Sequence, residues 1–304
     1  MEISVIIPTF NGANKIEATL TALSCQTIRD FEVVVIVDGS TDNTIDVVKR
    51  FEKKFPKLII HSTPNQGRAN AKNEGVSVAN GNILVFIDDD IRLFDDALAR
   101  YQQFHFKNKD TIVFGHLEMD PLMAKQNDFW NYRRTVESSW RENQDLNISL
   151  KNYAITSANL SVTKRIFNLV GIFDPTLKDS EDFVFGVKAL QAGIPVIYSP
   201  QIRGYHDDFS TLMAYVRRQN EYIKSKYVVL EKYPEYLQLL PEQFKWVRPL
   251  PGDGLKKMIF SSEGLWKGLI SIGVFLVLPR LVRYKFYSAY IYVHSVLLNR
   301  TVRF

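Results

Sequence analysis

The chain has 304 residues, 46% of them hydrophobic and 23% charged, which is ordinary for a globular protein and allows one large domain or two modest ones. Its single cysteine, Cys25, excludes an intramolecular disulfide and fits a reducing compartment. The net charge of +5 is uneven: residues 251–304 carry eight Lys/Arg against Asp253 and Glu263, so that segment is +6 and the other 250 residues sum to −1, which excludes a sequence-wide nucleic-acid binder.

The opening "MEISVIIPTF" lacks a basic n-region and a small-residue cleavage site, and Pro8 interrupts it, so it reads as a first strand and not as a signal peptide. "NKIEATLTALSCQ" follows with Ile16, Leu20 and Leu23 at helical spacing. "FEVVVIVD" is a β-branched run ending in Asp38, and "STDNTIDVVKRFEKKF" opens with N-cap residues and sets Ile45, Val48 and Phe55 on one helical face. "KLIIHST" is a third strand, "GRANAKNEGVSVAN" a helix between glycines, "NILVFIDDD" a fourth strand and "DDALARYQQF" a fourth helix. Such alternation, with continuous apolar strands, predicts an α/β fold on a mostly parallel sheet covered on both faces. Ligands bind beyond the carboxyl ends of strands in these sheets, where Thr9, Asn11, Asp38 and Asp88–Asp90 all fall. Further on, "DTIVFGHLEM" reads as a strand, 121–150 as aromatic-rich helices or a long loop, and "YAITSANLSVTK" as a strand. "SEDFVFGVKALQAG" reads as a helix, "IPVIYSP" as a strand, and "FSTLMAYVRRQNEYIKSKYVVLEKYP" as a long helix stopped by Pro234.

Several clusters bear chemistry, each with a plain structural alternative. Asp88-Asp89-Asp90 ends a buried run in three like charges, which suits a hard divalent cation or a solvated turn equally. "IPTFNG" and "VIVDGSTDNT" contain ordinary turn residues, yet Asp38 directly follows a buried strand and can accept from an N–H edge of a base. In "NQGRANAKNEG", Gly67 permits close backbone approach, and Arg68 and Lys72 sit four apart near a helix N-terminus, where phosphate is favoured. Glu181-Asp182 opens a helix, where acids also complement the macrodipole. His206 stands alone, 24 positions after Asp182.

Jointly, "SVIIPTFNG", "ALSCQTIRDFEVVVIVDGSTDNT", "NQGRANAKNEG", "GNILVFIDDD", "SANLSVTKRIFNLVGIFDPTL", "EDFVFGVKALQAGIPVIYSP" and the histidine of "YHDD" resemble an inverting family 2 glycosyltransferase of the GT-A fold, in that family's order and spacing, over roughly residues 1–230. One departure is Lys72, where many members carry Arg, which keeps the charge but not the bidentate fork. The resemblance implies a nucleotide-sugar pocket formed by Pro8, Thr9, Asn11, Asp38, Gly67, Lys72, Asp88 and Asp89, with Asp38 at the base, Lys72 and Gly67 at the base and phosphates, and Asp88 at the ribose. It implies Asp90 and His206 as ligands of Mg²⁺ or Mn²⁺, Asp182 as general base, and Asn159 and Glu181 near the diphosphate or acceptor. It further implies a nucleotide-sugar donor, UDP-linked by preference, a glycan or lipid-linked acceptor and a role in polysaccharide synthesis.

Two other classes compete. A nucleotidyltransferase would carry a Gly-rich basic loop after the first strand, and "PTFNGANK" matches that poorly. It also would not need the Glu181-Asp182 and His206 pair, and against a non-catalytic nucleotide-sugar-binding protein every expected catalytic position is filled. As domains, residues 1–230 read as catalytic (1–118 nucleotide-binding, 119–230 acceptor-side) and 231–304 as a basic helical extension. Within it, "LWKGLISIGVFLVL" at 265–278 would make a helix about 21 Å long, short of a bilayer core of about 30 Å. Aromatics among Arg283 and Lys285 then suggest peripheral membrane contact through 256–304 of a cytoplasmic protein, against packing on the catalytic domain or a dimer partner.

Overall fold

The computed structural model describes residues 2–142, 147–247, 250–262, 264, 266, 268 and 277–298. Two compact units emerge: Met1–Ala124 with Arg134–Asp208, and Lys125–Arg133 with Phe209–Phe304.

The first unit is built on a nine-stranded sheet. Its strands are β1 (Ile3–Thr9), β2 (Phe31–Asp38), β3 (Lys57–Thr63), β4 (Ile83–Ile87), β5 (Ile91–Leu93), β6 (Ile112–Glu118), β7 (Asn147–Ile148), β8 (Asn159–Thr163) and β9 (Val196–His206). They lie in the order β3-β2-β1-β4-β8-β6-β9-β5, with β7 also pairing β9. The first four are mutually parallel, as the alternating sequence predicts. All eight residues of β2 and all five of β4 are buried, which is why those strands read as unbroken apolar runs. Helices α1 (Ile16–Ser24), α2 (Thr44–Lys49), α3 (Arg68–Val78) and α4 (Ala97–Lys107) form the connections. Ile16, Leu20 and Leu23 of α1 are wholly buried. Gly75 lets α3 lie close on β1, since a Cβ there would strike the Ile6 side chain.

The second half of this unit departs from a simple parallel sheet. β8 runs antiparallel to both β4 and β6, while β6 pairs β9 in parallel with a register shift at Gly115/His116. The strand expected from Tyr153 begins only at Asn159, and the helix expected through Phe55 ends at Lys49 and continues as turns. Four elements of this unit lay outside the sequence reading: β5, the short β7, helix α7 (Lys164–Val170) and the run of β9 through Pro200 to His206. The short α5 (Pro121–Ala124), then α6 (Asp128–Glu142), replace the helix-or-loop alternative for 121–150, and α8 (Glu181–Gln191) follows the expected register.

The second unit holds α9 (Leu212–Lys232), α10 (Tyr236–Leu239), α11 (Asp253–Phe260) and α12 (Arg280–Tyr292). Its core is aromatic, with Phe129, Tyr132, Phe286, Tyr287 and Tyr290 buried against Leu212 and Val216. Asp128 accepts two hydrogen bonds from Arg283 at 2.6 and 2.8 Å and a third from the Tyr287 hydroxyl at 3.1 Å. Most of the apolar run 265–278 lies outside the described residues. Among the described residues no helix is long and apolar enough to cross a membrane.

Candidate active site

Parallel pairing of β2, β1 and β4 brings their carboxyl ends side by side, with Thr9 opposite Val37 and Ile6 opposite Phe86. A cleft of about 360 Å³ opens there. Of the residues expected at the site, Pro8, Thr9, Asp38, Gly67, Asp88, Asp89 and Asp90 line it. So do Lys15, Arg68 and Lys178, three cations that suit an anionic ligand.

The loops that frame the cleft are tied to one another. Asp38, 4% exposed, accepts from the backbone N–H groups of Gln66 and Gly67 at 2.8 and 2.9 Å and from the Thr63 hydroxyl at 3.2 Å. Its carboxylate therefore shapes the loop before α3 as well as facing the cleft. Asn11 has a left-handed φ of 49°, and its Oδ1 accepts from the Thr41 N–H at 2.8 Å. It joins the β1 and β2 loops and does not line the cleft. At Gly12 a Cβ would collide with the Thr9 hydroxyl and the Asp89 carboxylate, so only glycine permits that hydroxyl to donate to Asp89 at 2.7 Å.

The acidic triplet is electrostatically divided. Burial pushes the Asp89 carboxyl up to about 6, against the opposing pull of Lys15 and Thr9. Burial also opposes ionisation of Asp90, but the hydrogen bond and charge of His206, with Lys15, outweigh it and hold Asp90 at about 2. The Lys15 ammonium stands 3.8 Å from a carboxylate oxygen of each. Antiparallel pairing of β5 with β9 places Ile91 opposite His206, and the Asp207 N–H donates to the Asp90 carbonyl at 2.9 Å. The His206 Nε2 consequently lies 3.5 Å from Asp90 Oδ1. Burial disfavours charge on this imidazole, yet the Asp90 hydrogen bond and charge, with Asp208 and Glu137, raise it to about 9. Arg92 locks the junction, gripping Asp207 at 2.6 and 2.8 Å and Asp120 at 3.0 Å.

One carboxylate and one imidazole facing across 3.5 Å form a mixed O/N donor pair suited to a divalent cation, which would have to displace the proton that Asp90 otherwise holds on the imidazole. Among the described residues no group of three or more His, Cys, Asp or Glu is so arranged. The residues present fit a cation that completes its shell with substrate phosphates and water, as Mg²⁺ commonly does.

A second cluster surrounds Asp182. Ser180, at a left-handed φ of 65°, turns the chain into α8. Glu181, 2% exposed, receives Lys72 Nζ at 2.8 Å, and Lys72 is itself 1% exposed. The same ammonium donates to the Ser157 hydroxyl. Ser157 in turn donates its N–H and hydroxyl to Asp182 Oδ2 at 2.9 and 3.2 Å, and the Phe183 N–H bonds Oδ1 at 2.7 Å. Burial and the neighbouring Glu181 raise the Asp182 carboxyl, and Lys72 and the two backbone donors counter them only in part. Lys72 remains charged despite burial because the Glu181, Asp88 and Asp182 carboxylates surround it.

Six residues expected at the site, Asn11, Lys72, Asn159, Glu181, Asp182 and His206, are not among those that line the cleft. Lys72 and Glu181 form a buried ion pair, with the Asp88 and Asp182 carboxylates beside the ammonium. Asn159 is 0% exposed in the middle of the sheet, opposite Ile87. Its carbonyl and Oδ1 both accept from the Tyr101 hydroxyl, at 2.8 and 2.7 Å. Of the residues absent from the sequence reading, Lys15 and Lys178 carry no signal beyond their charge, and Ser157 acquires its place only through Lys72 and Asp182.

The mixed sheet, with an acidic cleft at the carboxyl ends of its parallel strands, has the GT-A fold. Solved structures share the fold. The mannosyltransferase PcManGT from Pyrobaculum calidifontis, in complex with GDP-Man and Mn²⁺, superposes with a TM-score of 0.65 at 19% identity, covering 98% of this chain and 86% of that one. S. aureus TarS 1–349 in complex with UDP-GlcNAc gives 0.54 at 18% identity, covering 97% and 82%. The sequence matches the family described as glycosyl transferase family 2 over residues 4–167, more than half of the chain, and the chain belongs to that family. A PGL/p-HBAD biosynthesis glycosyltransferase of Mycobacterium bovis is 30% identical over 211 residues, 59% of this chain and 81% of that protein. A poly(ribitol-phosphate) beta-glucosyltransferase of Bacillus spizizenii is 32% identical over 122 residues, 39% of this chain but only 19% of that longer protein. The protein is thus a glycosyltransferase, which sets aside the nucleotidyltransferase and the non-catalytic binding readings.

Proposed function

We propose that the protein transfers a sugar, with inversion, from a nucleoside diphosphate donor to a hydroxyl of a glycan or lipid-linked acceptor, and that Asp182 is the general base. The observation that carries this reading is the cleft itself, where Asp38, Asp88, Asp89 and Asp90 converge with Lys15, Arg68 and Lys178 at the carboxyl ends of parallel strands. Pro8, Thr9 and Gly67 line the wall offered to the donor, and Asp38 offers acceptor oxygens to the N–H edge of a base such as uracil. TarS was solved with UDP and with UDP-GlcNAc, and PcManGT with GDP-Man, so relatives of this fold take more than one nucleotide. Asp88 is assigned to the ribose.

A divalent cation, Mg²⁺ or Mn²⁺, would be held by Asp90 and His206 and would supply positive charge to the departing diphosphate. PcManGT and GalNAc-T7 were solved with Mn²⁺, which supports that assignment. Lys15, Arg68 and Lys178 add charge to the same wall. At the acceptor, the hydroxyl oxygen bonds to the anomeric carbon while its proton passes to the Asp182 carboxylate. The bond from that carbon to the diphosphate breaks on the opposite face, its electron pair leaves with the nucleotide, and configuration inverts. The raised carboxyl of Asp182 suits a group that must take a proton in the transition state.

For function we divide the chain into a catalytic domain at 1–230, with nucleotide-binding (1–118) and acceptor-side (119–230) halves, and an extension at 231–304. The compact units divide differently, because α9 clusters with the later helices. The extension supports work at the cytoplasmic face of a membrane, where a lipid-linked acceptor would be found. The test is a panel of nucleotide sugars with candidate acceptors, read by nucleotide release and by NMR of the product's anomeric configuration. A UDP-sugar giving inverted product is expected, and retained configuration would overturn the mechanism.

A further inference from the structure

Helix α11 turns its apolar side outward. Leu255, Met258 and Ile259 stand at i, i+3 and i+4 on one face and are 59%, 72% and 44% exposed. Its acid faces inward instead: Asp253 is 8% exposed and accepts from the Leu250 N–H at 2.8 Å and the Tyr292 hydroxyl at 3.1 Å. A surface helix ordinarily does the opposite. Residues 277–282, "VLPRLV", are exposed one after another into the start of α12, with Val277 at 83% and Leu281 at 77%. The inner face of α12 is already filled by Phe286, Tyr287 and Tyr290, so these outward residues are not displaced members of a core. α11 packs on α12, with the Phe260 and Phe286 rings 5.5 Å apart.

Cations are interleaved with this apolar surface. Lys257, Arg280 and Lys285 are exposed on the same elements. We propose that α11 and residues 277–282 form an in-plane docking surface for a bilayer containing anionic phospholipid. Large apolar side chains flanked by lysine and arginine are what an interfacial helix presents to acyl chains and anionic headgroups. The +6 balance of residues 251–304 supplies the charge complementarity. A second copy of this chain fits less well, because lysine is depleted at protein–protein interfaces and like charges would meet. The proposal deepens the membrane-side reading of the acceptor and rests on it only for its purpose, since lipid contact needs no turnover.

The test floats full-length protein with vesicles of phosphatidylcholine alone and of phosphatidylcholine with phosphatidylglycerol in equal parts. Two variants accompany it: Leu255→Glu/Met258→Glu/Leu281→Glu and Lys257→Glu/Arg280→Glu/Lys285→Glu. All six positions are exposed, and circular dichroism with an unchanged thermal midpoint checks that each variant is folded. Expected are flotation with the anionic vesicles, a tenfold or greater fall in partitioning for each variant, and loss of wild-type binding in high salt. Failure of the wild type to float in low salt, or unchanged flotation of both variants, overturns the proposal. So does a wild-type dimer by light scattering that the apolar variant alone dissociates without any flotation, which assigns the surface to a second copy. Flotation without sugar transfer would instead count against the catalytic reading and leave this surface standing.

Discussion

Replacing Lys72 by methionine keeps most of the side-chain volume and removes a buried charge. In the native protein the Lys72 ammonium is 2.8 Å from Glu181, with the two side chains 1% and 2% exposed. Glu181 is held below its ordinary range although burial pushes the other way, chiefly because of the Lys72 charge, with Arg68 adding to it. Lys72→Met would leave that carboxylate buried without its partner, a change that typically costs about 3–5 kcal/mol. For a unit of this size the thermal midpoint should fall on the order of 10 °C. The loss carries a pH signature. A folded value below the ordinary 4.5 means the native pair contributes stability fully above that value and loses it as pH falls. In the variant, unopposed burial raises the group above 4.5, so the penalty is present at neutral pH and is relieved as Glu181 takes up a proton. Urea unfolding at neutral and acid pH measures both. Adding Glu181→Gln should recover part of the loss, with a coupling of about 1–3 kcal/mol. A neutral-pH loss under about 1 kcal/mol, or one that does not shrink in acid, would refute the buried-pair account.

Glu32 gives an independent pH test in the sheet. Burial opposes its ionisation, but donors from Ser4, Asn80 and Lys57 lower it to about 2, so its stabilisation is complete above 4.5 and lost as pH falls toward 2. Glu32→Gln should destabilise the protein at neutral pH, with its unfolding curve approaching that of the wild type in acid. At the cleft, Asp90→Ala and His206→Ala should each weaken the rise in thermal midpoint produced by Mn²⁺ with UDP, and excess EDTA should abolish sugar transfer in the wild type. Full activity in EDTA would remove the metal assignment from both residues.

The parallel half of the sheet was legible because its strands are buried on both faces, and their carboxyl ends could be read from where apolar runs met Asn or Asp. Asp38 and the Asp88–Asp90 cluster fell in the cleft for that reason. The rest depends on long-range pairing that local periodicity does not encode. Three residues of β5 are too few to show alternation, and β9 reaches His206 only by passing Pro200 and the shifted register at Gly115/His116. The ion pair of Lys72 with Glu181 was not legible, because its partner lies 109 positions away. Asn159 sits in a motif-like "SANLS", but the antiparallel insertion of β8 between β4 and β6 buries it.

The most direct test of the account is the turnover of Asp182→Asn, measured with donor and acceptor beside calorimetric donor binding. Asparagine keeps the shape and can still accept from the Ser157 N–H, but it cannot take the acceptor's proton. The account predicts unchanged donor affinity and a fall in transfer of about 10²–10⁴-fold, the contribution of a positioned general base. Transfer above about 10% of the wild-type rate, with donor binding intact, would contradict it.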